Sequence, residues 1–178
     1  NTGAISQRDL VINSLRMRPD RIIVGECRGS EAFEMLQAMN TGHDGSMSTL
    51  HANTPRDALS RVESMVMMAT NNLPLEAIRR SIVSAVDLII QVNRLHDGSR
   101  KVMNISEVMG LEGDNVVLEE IFRFQPSYQQ SEEGVLEGDF VTTGLMKRSI
   151  LFEKARFFGL EARLSEAFKS IESGGYRS

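Results

Sequence analysis

Apolar and polar positions change period several times along the chain, and each change marks an element. Ser6-Gln7-Arg8-Asp9 has the form of a helix capping box, with Leu10, Val11 and Leu15 on one helical face until Pro19 stops it. The aliphatic run Arg21-Ile22-Ile23-Val24 predicts a short buried strand over 20–25. After Gly29-Ser30, Ala32, Met35, Leu36 and Met39 recur at helical spacing, and Thr41-Gly42-His43-Asp44-Gly45 ends that helix. Residues 46–51 read as a second strand. Thr54-Pro55-Arg56-Asp57 is a helix start, with a Thr cap, Pro at the first position and an acid at the third. Its apolar face is Leu59, Val62, Met65, Val66 and Ala69, and Pro74 opens a further helix through Ile78, Ile82 and Ala85.

Beyond this the pattern predicts a strand over 86–92, a turn at Asp97-Gly98-Ser99, and a hairpin of 100–109 and 116–124 around Glu112-Gly113-Asp114-Asn115. Residues 126–144 read as an irregular extended segment, carrying Pro126, Gln129-Gln130, Ser131-Glu132-Glu133 and several glycines. From Lys147 to Ile171 the spacing is helical, with Phe152, Phe157, Leu160, Leu164 and Phe168 as apolar anchors and Gly159 as a break. Strands alternating with helices predict an α/β fold: a mainly parallel sheet flanked by helices, a β-hairpin at one side and C-terminal helices. The organisation expected is 1–125 as one domain portion and 126–178 as an irregular segment with C-terminal helices.

Composition narrows the chemistry. A chain of 178 residues, 41% hydrophobic and 25% charged, supports a core without staples. Its single cysteine, Cys27, excludes an internal disulfide framework and a CxxC zinc ribbon, and makes a reducing, cytoplasmic interior the expected compartment. A net charge of −4 argues against a general nucleic-acid binder. The first hundred residues balance eleven arginines against eleven acids and contain no lysine; none of the four lysines follows a glycine. A GxxxxGK[ST] phosphate loop is therefore absent. Arginine suits bidentate phosphate recognition. Most of Arg16, Arg18, Arg21, Arg28, Arg56 and Arg61 nonetheless read as solvated partners of nearby acids, with Arg28, two residues past Glu26, the exception.

Two positions carry the candidate chemistry. The aliphatic run leads through Gly25 into Glu26, placing a carboxylate at the C-terminal lip of a parallel sheet, where such sheets bind ligands. There it can hold Mg²⁺ through water or orient an attacking water, although any strand can end in glutamate. The stretch Thr41-Gly42-His43-Asp44-Gly45-Ser46-Met47-Ser48-Thr49-Leu50-His51 leads into a strand ending in His51, which parallel pairing puts at the height of Glu26. An imidazole there can donate to a phosphate oxygen or simply cap the strand end. Cys27, His43 and His51 lack the close ligand pair of a zinc site. The methionines read as core filling, and no GxSxG elbow is present.

Three stretches together resemble the secretion ATPase superfamily of types II and IV, within it the Tad/Flp pilus assembly ATPase (the CpaF or TadA type). They are Leu15-Arg16-Met17-Arg18-Pro19-Asp20-Arg21-Ile22-Ile23-Val24-Gly25-Glu26-Cys27-Arg28-Gly29, the run from Met35 to Ser46, and Ser48-Thr49-Leu50-His51-Ala52-Asn53-Thr54-Pro55-Arg56-Asp57. The resemblance runs from about residue 7 to 125. It implies a RecA-like P-loop NTPase core, C-terminal portion, with Glu26 as the Walker B glutamate and His43 and His51 on the His box. His51 would sense the γ-phosphate, and Arg28, Gly42 and Thr49 would lie on the nucleotide-binding edge. It also implies ATP and Mg²⁺ as cofactors, a homo-hexamer, inner-membrane platform proteins as partners, and a cytoplasmic location peripheral to the inner membrane.

The chain departs from the family in lacking the Walker A loop, which the family places upstream of this region. The expectation is the C-terminal half of a motor, inactive by itself. Other readings are a conjugation-type translocation ATPase and a non-catalytic interaction module on the same scaffold. The motor reading turns on whether Glu26 and His51 reach one rim of the sheet.

Overall fold

Ser6 caps the first helix as its neighbours predict: its hydroxyl accepts the Asp9 N–H at 3.1 Å and the Asp9 carboxylate takes the Ser6 N–H at 2.9 Å. The structure, a computed structural model, describes residues 3–130, 134, 136–145 and 148–172. Residues 131–133 and Lys147, assigned above to the irregular segment and to the start of the last helical stretch, lie outside the described residues, as do the side chains of Gln129, Gln130 and Ile171.

The chain divides into two compact units, one of residues 1–86 with 110–117, the other of 87–109 with 118–178. The first unit runs α1 (Gln7–Leu15), β1 (Ile23–Val24), α2 (Glu31–Asn40), β2 (Met47–Ser48), α3 (Pro55–Ala69) and α4 (Leu75–Ala85). The crossover through α2 lets β1 and β2 pair in parallel, Ile23 opposite Met47 and Val24 opposite Ser48. Leu36 of α2, Val66 of α3 and Ile78 and Ile82 of α4 are fully buried and form its core. Met35 and Met65 fill that core as their spacing predicts, whereas Met67 and Met68 at the end of α3 are exposed.

The strand expected to be buried throughout is buried on one face only. Ile22 and Val24 are covered, but Ile23, pointing the opposite way by strand alternation, is 70% exposed. Beside it lies an open groove of about 350 Å³ lined by Leu10, Val11, Pro19, Arg21 and Ile23.

The second unit holds most of a four-stranded sheet in the order β3 (Leu88–Arg94), β4 (Arg100–Glu112), β5 (Asn115–Gln130) and β6 (Leu136–Thr142), the end of β4 and the start of β5 being assigned to the first. The element order suggested that the strand near 86–92 extends the parallel sheet; instead it pairs antiparallel with β4. The tight turn between them, with the Leu95 N–H donating to the Ser99 carbonyl at 2.8 Å, returns the chain directly and leaves no room for a crossover. The α/β class stands, with a larger antiparallel part than the hairpin alone predicted.

Residues 126–144, read as irregular, hold the end of β5 and all of β6. Their glycine and proline serve packing inside a ladder: Gly138 opposes Pro126, and a Cβ on Gly138 would come within 2.5 Å of the Phe124 ring.

Two helices complete the unit, α5 (Ile150–Phe157) and α6 (Glu161–Glu172). Phe168 is buried and stacks on Phe122 at 4.9 Å, as an anchor should. Phe157 and Leu160, also expected as anchors, are exposed. The break at Gly159, with φ +69°, falls between two helices, so these positions lie on a turn and not on a continuous apolar stripe. Among the described residues no helix is long and apolar enough to cross a membrane.

Asp97 ties the β3–β4 turn to the start of β6. Its carboxylate accepts the Leu136 N–H at 2.6 Å, the Ser99 N–H at 2.9 Å and the Ser99 hydroxyl at 2.7 Å. These bonds, the one from Leu136 foremost, lower its pKa to about 2 from an ordinary 3.8. A depressed carboxylate stabilises the fold above its unfolded pKa and loses that contribution as pH falls through its folded one. Asp97→Asn is therefore expected to lower the urea midpoint at neutral pH. The gap from the parent should close as pH drops from near 4 toward 2, measured by circular dichroism across that range.

Candidate functional site

The parallel register that sets Val24 against Ser48 puts the residues after β1 and after β2 at the same end of the pair. The ladder continues one step, with the Cys27 N–H donating to the Thr49 carbonyl at 2.8 Å. Glu26 and His51 consequently meet: Glu26 Oε1 lies 3.2 Å from His51 Nε2. Glu26 Oε2 accepts from an Arg28 guanidinium nitrogen at 2.5 Å. One carboxylate thus bridges an imidazole and a guanidinium, both of which project into solvent.

The Arg28 hydrogen bond holds the Glu26 carboxyl below the usual range against partial burial, and the charges of Arg28, His51 and Arg61 add to it. Glu26 is therefore an ionised, acceptor-only group at neutral pH, able to orient water and poorly suited to donate a proton. The same bond raises the Arg28 pKa further.

The backbone carrying this carboxylate is held from three elements. Thr49 Oγ1 donates to the Gly25 carbonyl at 2.7 Å, and Gln7 of α1 donates to the Glu26 carbonyl at 2.6 Å. Glu31, the first residue of α2, is buried and accepts the N–H groups of Arg28 at 2.6 Å and Gly29 at 3.0 Å. Burial pushes the Glu31 carboxyl up, but the N–H groups of Arg28, Glu31 and Gly29 outweigh it and the net shift is downward. Cys27 alternates inward: its sulfur accepts from the Ser48 hydroxyl at 3.2 Å, and burial raises its pKa. This is the setting of an inert, structural thiol.

Glu26, Arg28, Thr49 and His51 are brought together. His43 and Gly42 are not; they precede β2 and lie at its other end. The His43 ring nitrogen Nδ1 sits 3.0 Å from the Ala38 carbonyl, and Gly42 takes φ +90° in the turn leaving α2. The His43 carbonyl accepts from the Ser46 hydroxyl at 2.7 Å, whose oxygen in turn accepts the Ile22 N–H at 2.9 Å, so this loop steadies the entry to β1. Cys27, His43 and His51 do not converge, and among the described residues no three His, Cys, Asp or Glu side chains are grouped to hold a metal ion. Glu26 alone is a hard oxygen donor; one oxygen already accepts from Arg28, and the other lies 3.2 Å from His51 Nε2. It suits a hydrated Mg²⁺ held through water better than direct ligation.

Three contributors escaped the sequence pattern. Gln7 stands 19 residues from the carbonyl it holds, and nothing local marks it. Arg61 reads as one more exposed arginine on a helix. Glu31 carried a partial signal, as an acid in the first turn of a helix beginning just past the lip.

With this geometry in place, three comparisons bear on it. A family model described as type II/IV secretion system protein matches residues 1–131. The chain is 42% identical over 112 residues to the conjugal transfer protein TrbB of Rhizobium radiobacter, covering 63% of this chain and 32% of that protein. It is 41% identical over 95 residues to the type IV secretion system protein PtlH of Bordetella pertussis, covering 52% and 28%. Among solved structures it is similar to the VirB11 ATPase of the Brucella suis type IV secretion system in complex with sulphate. That likeness has a TM-score of 0.55 and 32% identity over 58% of this chain and 32% of that one. The chain spans about a third of the length of these relatives.

Proposed function

The chain belongs to the type II/IV secretion system protein family, and from that premise we propose that it forms the Walker B and His-box part of a RecA-like ATPase that powers pilus assembly or protein export. The observation that carries the proposal is the 3.2 Å approach of Glu26 and His51 at one rim of the β1–β2 pair. In the assignment proposed, ionised Glu26 accepts a hydrogen bond from the attacking water and aims its lone pair along the line of displacement. Arg28 fixes the rotamer of that carboxylate and offers its remaining N–H groups to phosphate oxygens. His51 turns from its place beside Glu26 to a γ-phosphate oxygen, so that loss of the phosphate is felt at the end of β2. Thr49 holds the rim through the Gly25 carbonyl. Mg²⁺, held by Glu26 through water, would neutralise phosphate charge.

His43 and Gly42 enter the proposal as nucleotide contacts of the assembled whole protein, since within this chain they lie away from Glu26. The domain portion assigned to this function is 1–125, and the working assembly a homo-hexamer in the cytoplasm, docked on inner-membrane platform proteins. The stretches Asn40-Thr41-Gly42-His43-Asp44-Gly45-Ser46 and Leu50-His51-Ala52-Asn53-Thr54-Pro55 favour the Tad/Flp pilus branch. A conjugation-type motor is the second reading, favoured by the conjugal transfer proteins among the relatives at about 40% identity.

The chain holds no Gly-Lys pair to cradle phosphates. The purified 178-residue protein is therefore expected to release no phosphate from Mg²⁺-ATP above background in a coupled-enzyme assay. Turnover that disappears in Glu26→Ala would overturn the division of labour proposed here.

A further inference from the structure

Two glycines near the tip of the β4–β5 hairpin stand there for different reasons. Gly113, at φ +57°, sits in the two-residue turn, where a left-handed residue is what the geometry demands. Gly110 lies inside β4, two residues before its end, at φ +147°. An extended ladder does not call for that angle, and residues with a side chain rarely adopt it. Packing does not call for a glycine either, since no atom stands within 4 Å of where a Cβ would be. Gly138 is the contrast, a strand glycine that the Phe124 ring leaves no room to replace. What Gly110 supplies is the backbone conformation itself, a bend within a strand.

The bend falls where the chain passes from one unit to the other. Residues up to Met109 on β4 and from Leu118 on β5 belong to the second unit, and the tip between them, 110–117, belongs to the first. Among the described residues β3 runs beside β4 no further than Val108, and β6 runs beside β5 no nearer than Phe122. The ladder between is therefore a ribbon of two strands, which twists more readily than a wide sheet.

The tip itself is held. Arg79 of α4 donates from Nε to Glu63 of α3 at 2.8 Å and from Nη1 to the Asp114 carbonyl at 2.7 Å. The ion pair is largely sheltered, at 23% and 13% exposure, and the planar guanidinium fixes both bonds at once. Val116, in the same tip, is buried. An anchored tip next to a strand glycine with an open surround is the arrangement of a hinge, in which a few residues absorb the change in backbone angle.

We propose that Gly110 is a hinge and Arg79 its clamp: the tip 110–117 stays with α3 and α4 while the remainder of β4 and β5 turns with the second unit. The device rests on the backbone and on these contacts, and does not depend on the ATPase reading.

The test is spin-label distance measurement on the purified chain, with nitroxides at exposed positions. Ser64→Cys with Glu112→Cys spans α3 and the tip, and Glu112→Cys with Glu166→Cys spans the tip and α6. Cys27 is buried with a raised pKa and is left in place. The first pair is expected to give one narrow distance distribution, the second a broad or two-peaked one. Gly110→Ala, confined to negative φ, should narrow the second distribution to one peak and leave the first as it was. Arg79→Gln should broaden the first, and should speed amide exchange at Asn115 by about tenfold through loss of a hydrogen bond from a charged group. Urea unfolding shows which variants fold, and the parent distributions decide the hinge even where Gly110→Ala does not. Three outcomes would overturn the proposal. They are a narrow second distribution in the parent, which would make Gly110 a fixed kink, a second distribution that stays broad in folded Gly110→Ala, and a first distribution unchanged in Arg79→Gln.

Discussion

Glu26→Gln in the whole protein is expected to leave nucleotide affinity within about twofold of the parent and to lower kcat by about 10²–10³-fold. The substitution keeps the shape and one acceptor oxygen but removes the negative charge that the Arg28 bond maintains by lowering the Glu26 pKa. On the assignment proposed above, a ground state held by other contacts is barely touched, while orientation of the attacking water is lost. Because His51 Nε2 is 3.2 Å from the same carboxylate, the two side chains should not act independently. His51→Ala added to Glu26→Gln should cost much less than His51→Ala does alone, as expected of residues working as one unit. Steady-state phosphate release and fluorescent-nucleotide titration, run on both single variants and the double, check this. Normal turnover in Glu26→Gln would pass the water-orienting role to an acid elsewhere in the protein.

The readable part of this site is the part set by strand geometry. Two short apolar runs separated by a helix imply parallel pairing, and parallel pairing alone brings the acid after one strand to the histidine after the other. Arg28 follows from the same logic, being two residues along from Glu26 at the same edge. What could not be read are contacts that depend on how helices pack. Gln7 reaches the Glu26 carbonyl only because α1 lies beside β1, and no local pattern encodes that placement. Ile23 shows the same boundary from the other side. Its hydrophobicity implies a covering layer, while the alternation of the strand turns it to a face that the described residues leave open. In the second unit the apolar spacing through Phe157 and Leu160 read as one face, because periodicity does not show that Gly159 splits it into two helices and turns those positions outward. The short turn at Asp97-Gly98-Ser99 was itself the warning that β3 returns into an antiparallel ladder.

The largest stability effect is expected at Leu36. It is 1% exposed on α2, in the same core as Ile78 and Ile82 of α4, which are 0% exposed. Leu36→Ala removes three carbon-bearing groups from a fully enclosed position, and such truncations cost about 2–5 kcal/mol depending on how far the neighbours collapse. That is a large share of the roughly 5–15 kcal/mol that holds an ordinary domain together. The consequence reaches the rim, because the first residue of α2 is Glu31, whose carboxylate holds the Arg28 and Gly29 N–H groups. Any shift of α2 is passed to the backbone that carries Glu26. Urea unfolding followed by circular dichroism should show the midpoint falling with little change in slope. Amide hydrogen exchange at Arg28 and Gly29 should accelerate in parallel with that loss. Ile23→Thr, at an open position two residues before Gly25, should move neither reading by more than about 0.5 kcal/mol. If the two variants behaved alike, the core of this unit would have to lie elsewhere than between α2 and α4, and the support of the rim by α2 would fall with it.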